Sequence, residues 1–199
     1  MMQTTLRKIR AAGPCGMRLE DGQRVGYLKL RHYLGKGHGD DTPVDIATIL
    51  DNNGLDDALW CLRAVDGHAR EMRLYAVWCA RQVQSQLEDQ RSSTALNVAE
   101  RHANGAASND ELAASWYAAD YAADYAAAYA AYAAANAAYA AYAAATWAAI
   151  AANSAATWAA NADADAGASR ATQAAELQRI CAEIAAGRDP YPAAGAVIP

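Results

Sequence analysis

Four histidines and four cysteines are the side chains of this 199-residue chain with the widest choice of chemistry. His32, His38, His68 and His102 do not fall at a ligand spacing such as His-x-x-x-His, which would put two imidazoles on one helix face for a metal. Cys15, Cys61, Cys79 and Cys181 form no CxxC pair and no zinc pattern. They suit a reducing compartment and a reduced, mostly structural role. Asp66-Gly67-His68 could act as an acid–base pair, and a turn followed by a helix start explains the same three residues. Gly35-Lys36-Gly37-His38-Gly39-Asp40-Asp41 has the glycines of a phosphate-cradling loop. It lacks the Gly-Lys-Ser/Thr order and no strand precedes it, so it reads as a linker. No nucleophile–base pair, paired catalytic carboxylates or cofactor fingerprint emerges. The expectation is a protein that is not an enzyme and has no cofactor and no metal.

Charged residues with bulky neighbours gather instead between Asp57 and Arg81. Trp60, Arg63, Asp66, His68, Arg73, Trp78 and Arg81 are the candidate partner-binding residues, with the two tryptophans as neighbouring anchors. The plainer alternative is ion pairing, Arg63 with Asp66 and Arg70 with Glu71, which contributes little where exposed.

The elements that must position these residues read as helices. Residues 4–12 form a short amphipathic helix with Leu6 and Ile9 inward, ended at Gly13-Pro14. A second covers 24–34. Thr42 caps a third with Pro43 at its first position, and Gly54 closes it. A fourth begins at Leu55 and stops at Asp66-Gly67, and a fifth runs from His68 to about Glu88. Ser92 or Ser93 caps a sixth, ended by Asn104-Gly105. A last helix spans 169–186. Nothing reads as a strand pair, so the class is all-α: an array of short helices followed by a long Ala/Tyr-rich helix or helical hairpin.

That long element occupies Ala113 to Asn161, where alanine fills most positions and no Gly or Pro interrupts. Ser108 and Glu111 make a capping box at its start, and Gly167 is a natural stop. Non-alanine residues recur every three or four positions. From Asp120 to Asn161 they fall within an arc of roughly 200° on the helix, the remainder being alanine alone. Tyr121, Tyr125, Tyr129, Tyr132, Tyr139, Tyr142, Trp147 and Trp158 form the packing stripe, a candidate core seam or oligomer interface. One straight helix would be on the order of 75 Å long. Either the tract folds back on itself or it packs against copies of itself. Three domains follow: an N-terminal helical domain, 1–106; the Ala/Tyr-rich long helix or hairpin, 107–168; and a C-terminal helix with an irregular tail, 169–199.

A net charge of −5 argues against binding nucleic acid through a basic surface. The tract is long enough to span a bilayer, but Tyr, Asn and Asp recur through weakly apolar alanine, so no membrane span is expected. The N-terminus leads into a charged amphipathic segment rather than an apolar signal region.

The stretch Asn-Gly-Leu-Asp-Asp-Ala-Leu-Trp-Cys-Leu-Arg-Ala-Val-Asp-Gly-His from Asn53, then Ala-Val-Trp-Cys-Ala-Arg-Gln-Val-Gln from Ala76, resembles the immunity protein family (immunity protein 5-like) of bacteria and tailed phages. Ala95 to Arg101, Asn104-Gly105, Gln173 to Leu177, and the Thr-Leu-Arg-Lys-Ile-Arg start continue the resemblance over most of residues 4–187. Relatives typically carry Arg, Asp and Trp in the alanine tract, and here Tyr largely takes those places. The resemblance implies a cytoplasmic protein of a bacterial host cell, of phage or prophage origin. It would neutralise a toxin or host factor by binding it, and no catalytic residues come with it. The alternative is a self-assembling scaffold that uses the Ala/Tyr-rich helix as its oligomer interface.

Overall fold

The computed structural model describes residues 1–14, 19–20, 23–24, 26–82, 90–126 and 166–192. Its class is all-α, with two short strand pairs. The elements are β1 (Gln3–Thr5), α1 (Leu6–Ala11), β2 (Leu19–Glu20), β3 (Gln23–Arg24), α2 (Gly26–Leu34), β4 (Pro43–Asp45), α3 (Ile46–Asn53), α4 (Leu55–Cys61), a 3-10 turn (Leu62–Ala64), α5 (Ala69–Arg81), α6 (Gln90–Ala103), α7 (Asn109–Ala126) and α8 (Ala166–Ala185). They form two compact units, residues 1–68 with 175–199, and residues 69–174. The composition blocks expected from the sequence cut at 106 and 168, whereas these units cut at 68 and within α8.

The first unit starts with a strand. Thr4 does not belong to a helix: β1 pairs antiparallel with β4, Gln3 opposite Asp45, Thr4 opposite Val44 and Thr5 opposite Pro43. The Ile46 amide donates to the Met2 carbonyl (3.0 Å), extending the ladder. Two sequence expectations are corrected here. Strand pairs exist, and Thr42-Pro43 opens a strand rather than a helix. Pro43 sits at the first strand position, where a missing amide is tolerated. α3 then starts three residues later than its first expected helical position, with Asp45 at its N-cap. The helix expected at residues 4–12 shortens to α1, capped by the Thr5 hydroxyl, which accepts from the Lys8 amide (3.2 Å).

Buried side chains from these short elements supply the core of the first unit: Leu6 and Ile9 from α1, Leu30 from α2, Ile46 and Ile49 from α3, Leu59 from α4, and Leu62 just after it. Leu177, Ile180 and Cys181 of α8 are buried in the same unit. Gly54 joins α3 to α4 at a φ of +96°, a conformation that L side chains resist, so the expected break there is physical. Thr4 is fully buried, and its hydroxyl donates to the Ala64 carbonyl (2.6 Å) across 60 positions. Gln178 donates to Asp51 (3.0 Å) across 127. The Gly35–Asp41 stretch, expected as a linker, delivers two carboxylates to α1. Asp40 pairs with Arg10 (2.6 Å) and Asp41 pairs with Arg7.

The second unit is built differently. α5, α6 and α7 pack in sequence order, and Val77, Ala95, Val98, Ala99, Leu112 and Ala119 form one cluster with Trp116 packed at its edge. The Ser108–Glu111 capping box forms as the sequence implies. The Glu111 amide donates to Ser108 Oγ, and the Ser108 amide donates to the Glu111 carboxylate, both at 3.1 Å. α6 begins at Gln90, so Ser92 is buried within the helix rather than capping it, and its hydroxyl has no partner among the described residues. Gly167 lies in the first turn of α8, and the end of the Ala/Tyr-rich tract that it is expected to mark lies outside the described residues. Tyr75 of α5 is buried and donates its hydroxyl to the Gln173 carbonyl (3.1 Å), tying the start of α8 to the unit.

Candidate functional site

Each candidate residue sits at an element end or on a helix flank. In the first unit, Trp60 is half-buried near the end of α4 and Arg63 is exposed one turn later. The 3-10 turn folds Arg63 back. Its Nε donates to the Trp60 carbonyl (2.9 Å), and its guanidinium lies 4.5 Å from the centre of the Trp60 ring. This is a cation–π stack, worth about 0.5–1 kcal/mol where exposed. Asp66 is exposed and takes an ion pair from Lys8 of α1. The expected Arg63–Asp66 pair is therefore replaced by two separate contacts. His68 is half-buried with φ +57°, following Gly67 at +71°, so two successive residues in the left-handed region precede α5.

In the second unit, Arg73 of α5 is half-buried, and burial lowers its pKa from the ordinary guanidinium value. Its Nε is buried without a hydrogen-bond partner among the described residues. Trp78 is half-buried and stacks on Tyr75, with ring centres 6.2 Å apart and 15° between planes. Arg81 pairs with Glu100 and reaches Asn97 (3.1 Å), so its charge bridges α5 to α6. Arg70 and Glu71 approach at 3.9 Å, and Arg70 also donates to Asn104 (3.0 Å). The seven residues thus divide between the units, four in the first and three in the second.

Of the packing stripe, Tyr121 and Tyr125 lie on α7. Tyr129, Tyr132, Tyr139, Tyr142, Trp147 and Trp158 lie outside the described residues. Tyr117, earlier on α7, is 65% exposed, one of the large apolar side chains that the core leaves out.

Sequence reasoning missed a cavity of about 180 Å³ in the first unit. Buried Ile9, Tyr27, Leu30, Ile49 and Cys61 line its interior, and Asn53, Asp56, Asp57 and Trp60 stand around it with more exposure. Asn53 donates to Asp57 (2.6 Å) and to the Gly26 carbonyl (2.9 Å), fixing the carboxylate at the start of α4 against the start of α2. Burial pushes the Cys61 thiol up to about 12, with the Asp57 charge adding to the rise and Arg63 opposing it. Cys61 therefore stays a neutral, weakly nucleophilic thiol near neutral pH. The Asn53…Asp57 spacing across Gly54 is the one sequence signal that could have marked the place.

Among the described residues no group of three or more His, Cys, Asp or Glu is placed to hold a metal ion, and no helix is long and apolar enough to cross a membrane. The chain matches no protein-family model, and neither curated proteins nor solved structures yield a match.

Proposed function

We propose that this chain is a non-enzymatic binding protein of the immunity type, of phage or prophage origin, which neutralises a toxin or host factor in the cytoplasm of a bacterial cell by holding it. The observation that carries the reading is the Trp60–Arg63 stack. It combines the two side-chain types most enriched at binding hot spots, partly exposed at the end of α4 and beside an open cavity. The segment that resembles immunity proteins, Gly54 to Arg81, comprises α4, the 3-10 turn and α5, and so contains this stack.

The test is affinity capture of the tagged chain from its host, with the mass of the complex read by light scattering. A stoichiometric foreign protein is the expected result. Its loss in a Trp60→Ala/Arg63→Ala double variant, folded by circular dichroism, would place the anchor at the stack. A homo-oligomer with no foreign protein would overturn the reading. It would favour a second one, a self-assembling scaffold, for which the exposure of Tyr117 on α7 speaks.

A further inference from the structure

The chain holds two asparagines followed by glycine, Asn53-Gly54 and Asn104-Gly105. In such a pair the glycine nitrogen, unhindered by a side chain, can attack the asparagine Cγ. An N–Cγ bond forms and closes a succinimide ring, the Cγ–Nδ2 bond breaks, and Nδ2 leaves as ammonia with the proton of the attacking nitrogen. Water then opens the ring at either carbonyl and leaves aspartate or isoaspartate. Two things set the pace. The side chain must turn toward the following nitrogen, and the oxygen on Cγ must take up negative charge.

Asn53 is restrained on both counts. It is half-buried at the end of α3, and Gly54 alone separates it from α4. Its Nδ2 donates to the Gly26 carbonyl (2.9 Å) and to the Asp57 carboxylate (2.6 Å), and its Oδ1 accepts from Asn52 (2.6 Å). The Gly54 amide donates to the Leu50 carbonyl (3.0 Å). Freeing this side chain would break the α3–α4 junction and its tie to α2. The Asp57 charge, in contact with the amide, also opposes a negative oxygen on the same carbon.

Asn104 is placed differently. It is exposed, just past the end of α6. Its Nδ2 donates to the Glu100 carbonyl and the Gly105 amide to the His102 carbonyl, both at 3.0 Å. These are bonds of a last helical turn, where opening costs least. Its Oδ1 accepts from Nε of Arg70 (3.0 Å), while Glu71 stands 3.9 Å from another nitrogen of that guanidinium, beyond hydrogen-bond reach. A cationic donor on that oxygen draws electron density from Cγ and steadies the oxygen as the ring closes, as an oxyanion-hole donor does. Arg101 is engaged with the Ala106 carbonyl (2.9 Å) and the Glu111 carboxylate (3.1 Å), so the effect comes from Arg70.

We propose that Asn104 is a modification site: it deamidates in the folded chain with Arg70 as the activating donor, while the fold holds Asn53 unreactive. In the aspartate product the new carboxylate takes the Arg70 hydrogen bond with full charge on both partners, which strengthens the tie between α5 and the end of α6. The site is independent of the binding reading above.

The test is a time course of the full chain in mildly alkaline heavy-oxygen water, read by peptide mass spectrometry. The peptide with Asn104 is expected to convert first, each converted molecule carrying heavy oxygen at that residue, while the peptide with Asn53 stays intact. In denaturant the two pairs are expected to convert at similar rates, which assigns the contrast to the fold. Arg70→Gln, folded by circular dichroism, should slow Asn104 about five-fold, the rate that one exposed hydrogen bond can carry. Conversion of Asn53 as fast as Asn104 in the folded chain, no conversion of Asn104, or a folded Arg70→Gln variant that converts at the parent rate would each overturn the proposal. Should Arg70→Gln not fold, the parent alone decides it: a gap between the two asparagines as large in denaturant as in the folded chain overturns the proposal.

Discussion

The two units differ in how far apart in sequence their buried partners lie. The first uses large aliphatic side chains from short elements that lie far apart in sequence, with Leu6, Ile9, Leu30, Ile46, Ile49, Leu59 and Leu62 all almost fully enclosed. Its polar ties span long separations too, such as Thr4 to Ala64 and Gln178 to Asp51. The second joins helices that follow one another in sequence, with Ala95, Ala99 and Ala119 buried where α6 and α7 pack and the large side chains of Tyr75, Leu96 and Leu112 enclosed beside them. Small residues let helix axes approach toward the short end of the usual range of about 8–10 Å. The aliphatic core of the first unit is therefore sensitive to losing volume, and the alanine contacts of the second to gaining it.

The contrast breaks most visibly at Leu6. Leu6→Ala should destabilise the chain by about 2–5 kcal/mol in urea unfolding, because the site loses both buried area and packing partners. Hydrogen exchange should show the loss of protection in the first unit, while the amides of Ala95 to Ala103 keep theirs. A loss spread evenly over both would erase the distinction. A smaller effect should follow from the reverse change in the second unit. Ala99→Leu should cost about 1–3 kcal/mol through overpacking between α6 and α7. A neutral result in the same unfolding experiment would mean that the helices have slack there.

The smallest effect concerns the Asp40–Arg10 pair, which belongs to the first unit but not to its core. The hydrogen bond from Arg10 holds the Asp40 carboxyl below the usual carboxylate range; desolvation opposes it, and the charges of Arg10, Arg31 and Arg7 lower it further. A depressed folded-state pKa contributes stability that is present above the ordinary carboxylate pKa and is lost as pH falls through the folded value. The stability difference between the parent and Asp40→Asn should therefore be largest near neutral pH and shrink on acidification. Added salt should shrink it as well, because the pair is exposed. A difference that stays constant from neutral to strongly acid pH would show that Asp40 acts through loop geometry and not through charge.

Local signals in the sequence were legible. The Ser108–Glu111 box, the Gly54 break and the buried stripe of α5 through Met72, Tyr75, Ala76 and Cys79 each depend on residues within a few positions of one another. The β1–β4 pair was not legible, because its strands are three residues long and join Thr4 to Val44 across two helices and the β2–β3 pair. Thr42-Pro43 satisfies the chemistry of a helix start and of a strand start alike, and only the distant partner strand decides between them. The cavity stayed hidden for the same reason. Ile9, Leu30 and Ile49 each read as an ordinary inward residue of its own helix, and only the way the helices converge leaves space among them. The Arg63–Asp66 pair failed because the 3-10 turn redirects Arg63 onto Trp60, while Asp66 finds Lys8, 58 positions away.

The order in which the units can be completed follows from how they are threaded. Residues 69–174 are one continuous stretch, whereas the first unit draws on 1–68 and then on 175–199. Leu177, Ile180 and Cys181 are buried, so the core begun by Leu6 and Ile9 lacks part of its cover until α8 has left the ribosome. Domains fold as units during synthesis, the earlier ones generally first. Here the unit whose residues come first in the chain is the one that must wait, holding its apolar residues open while the intervening stretch is made.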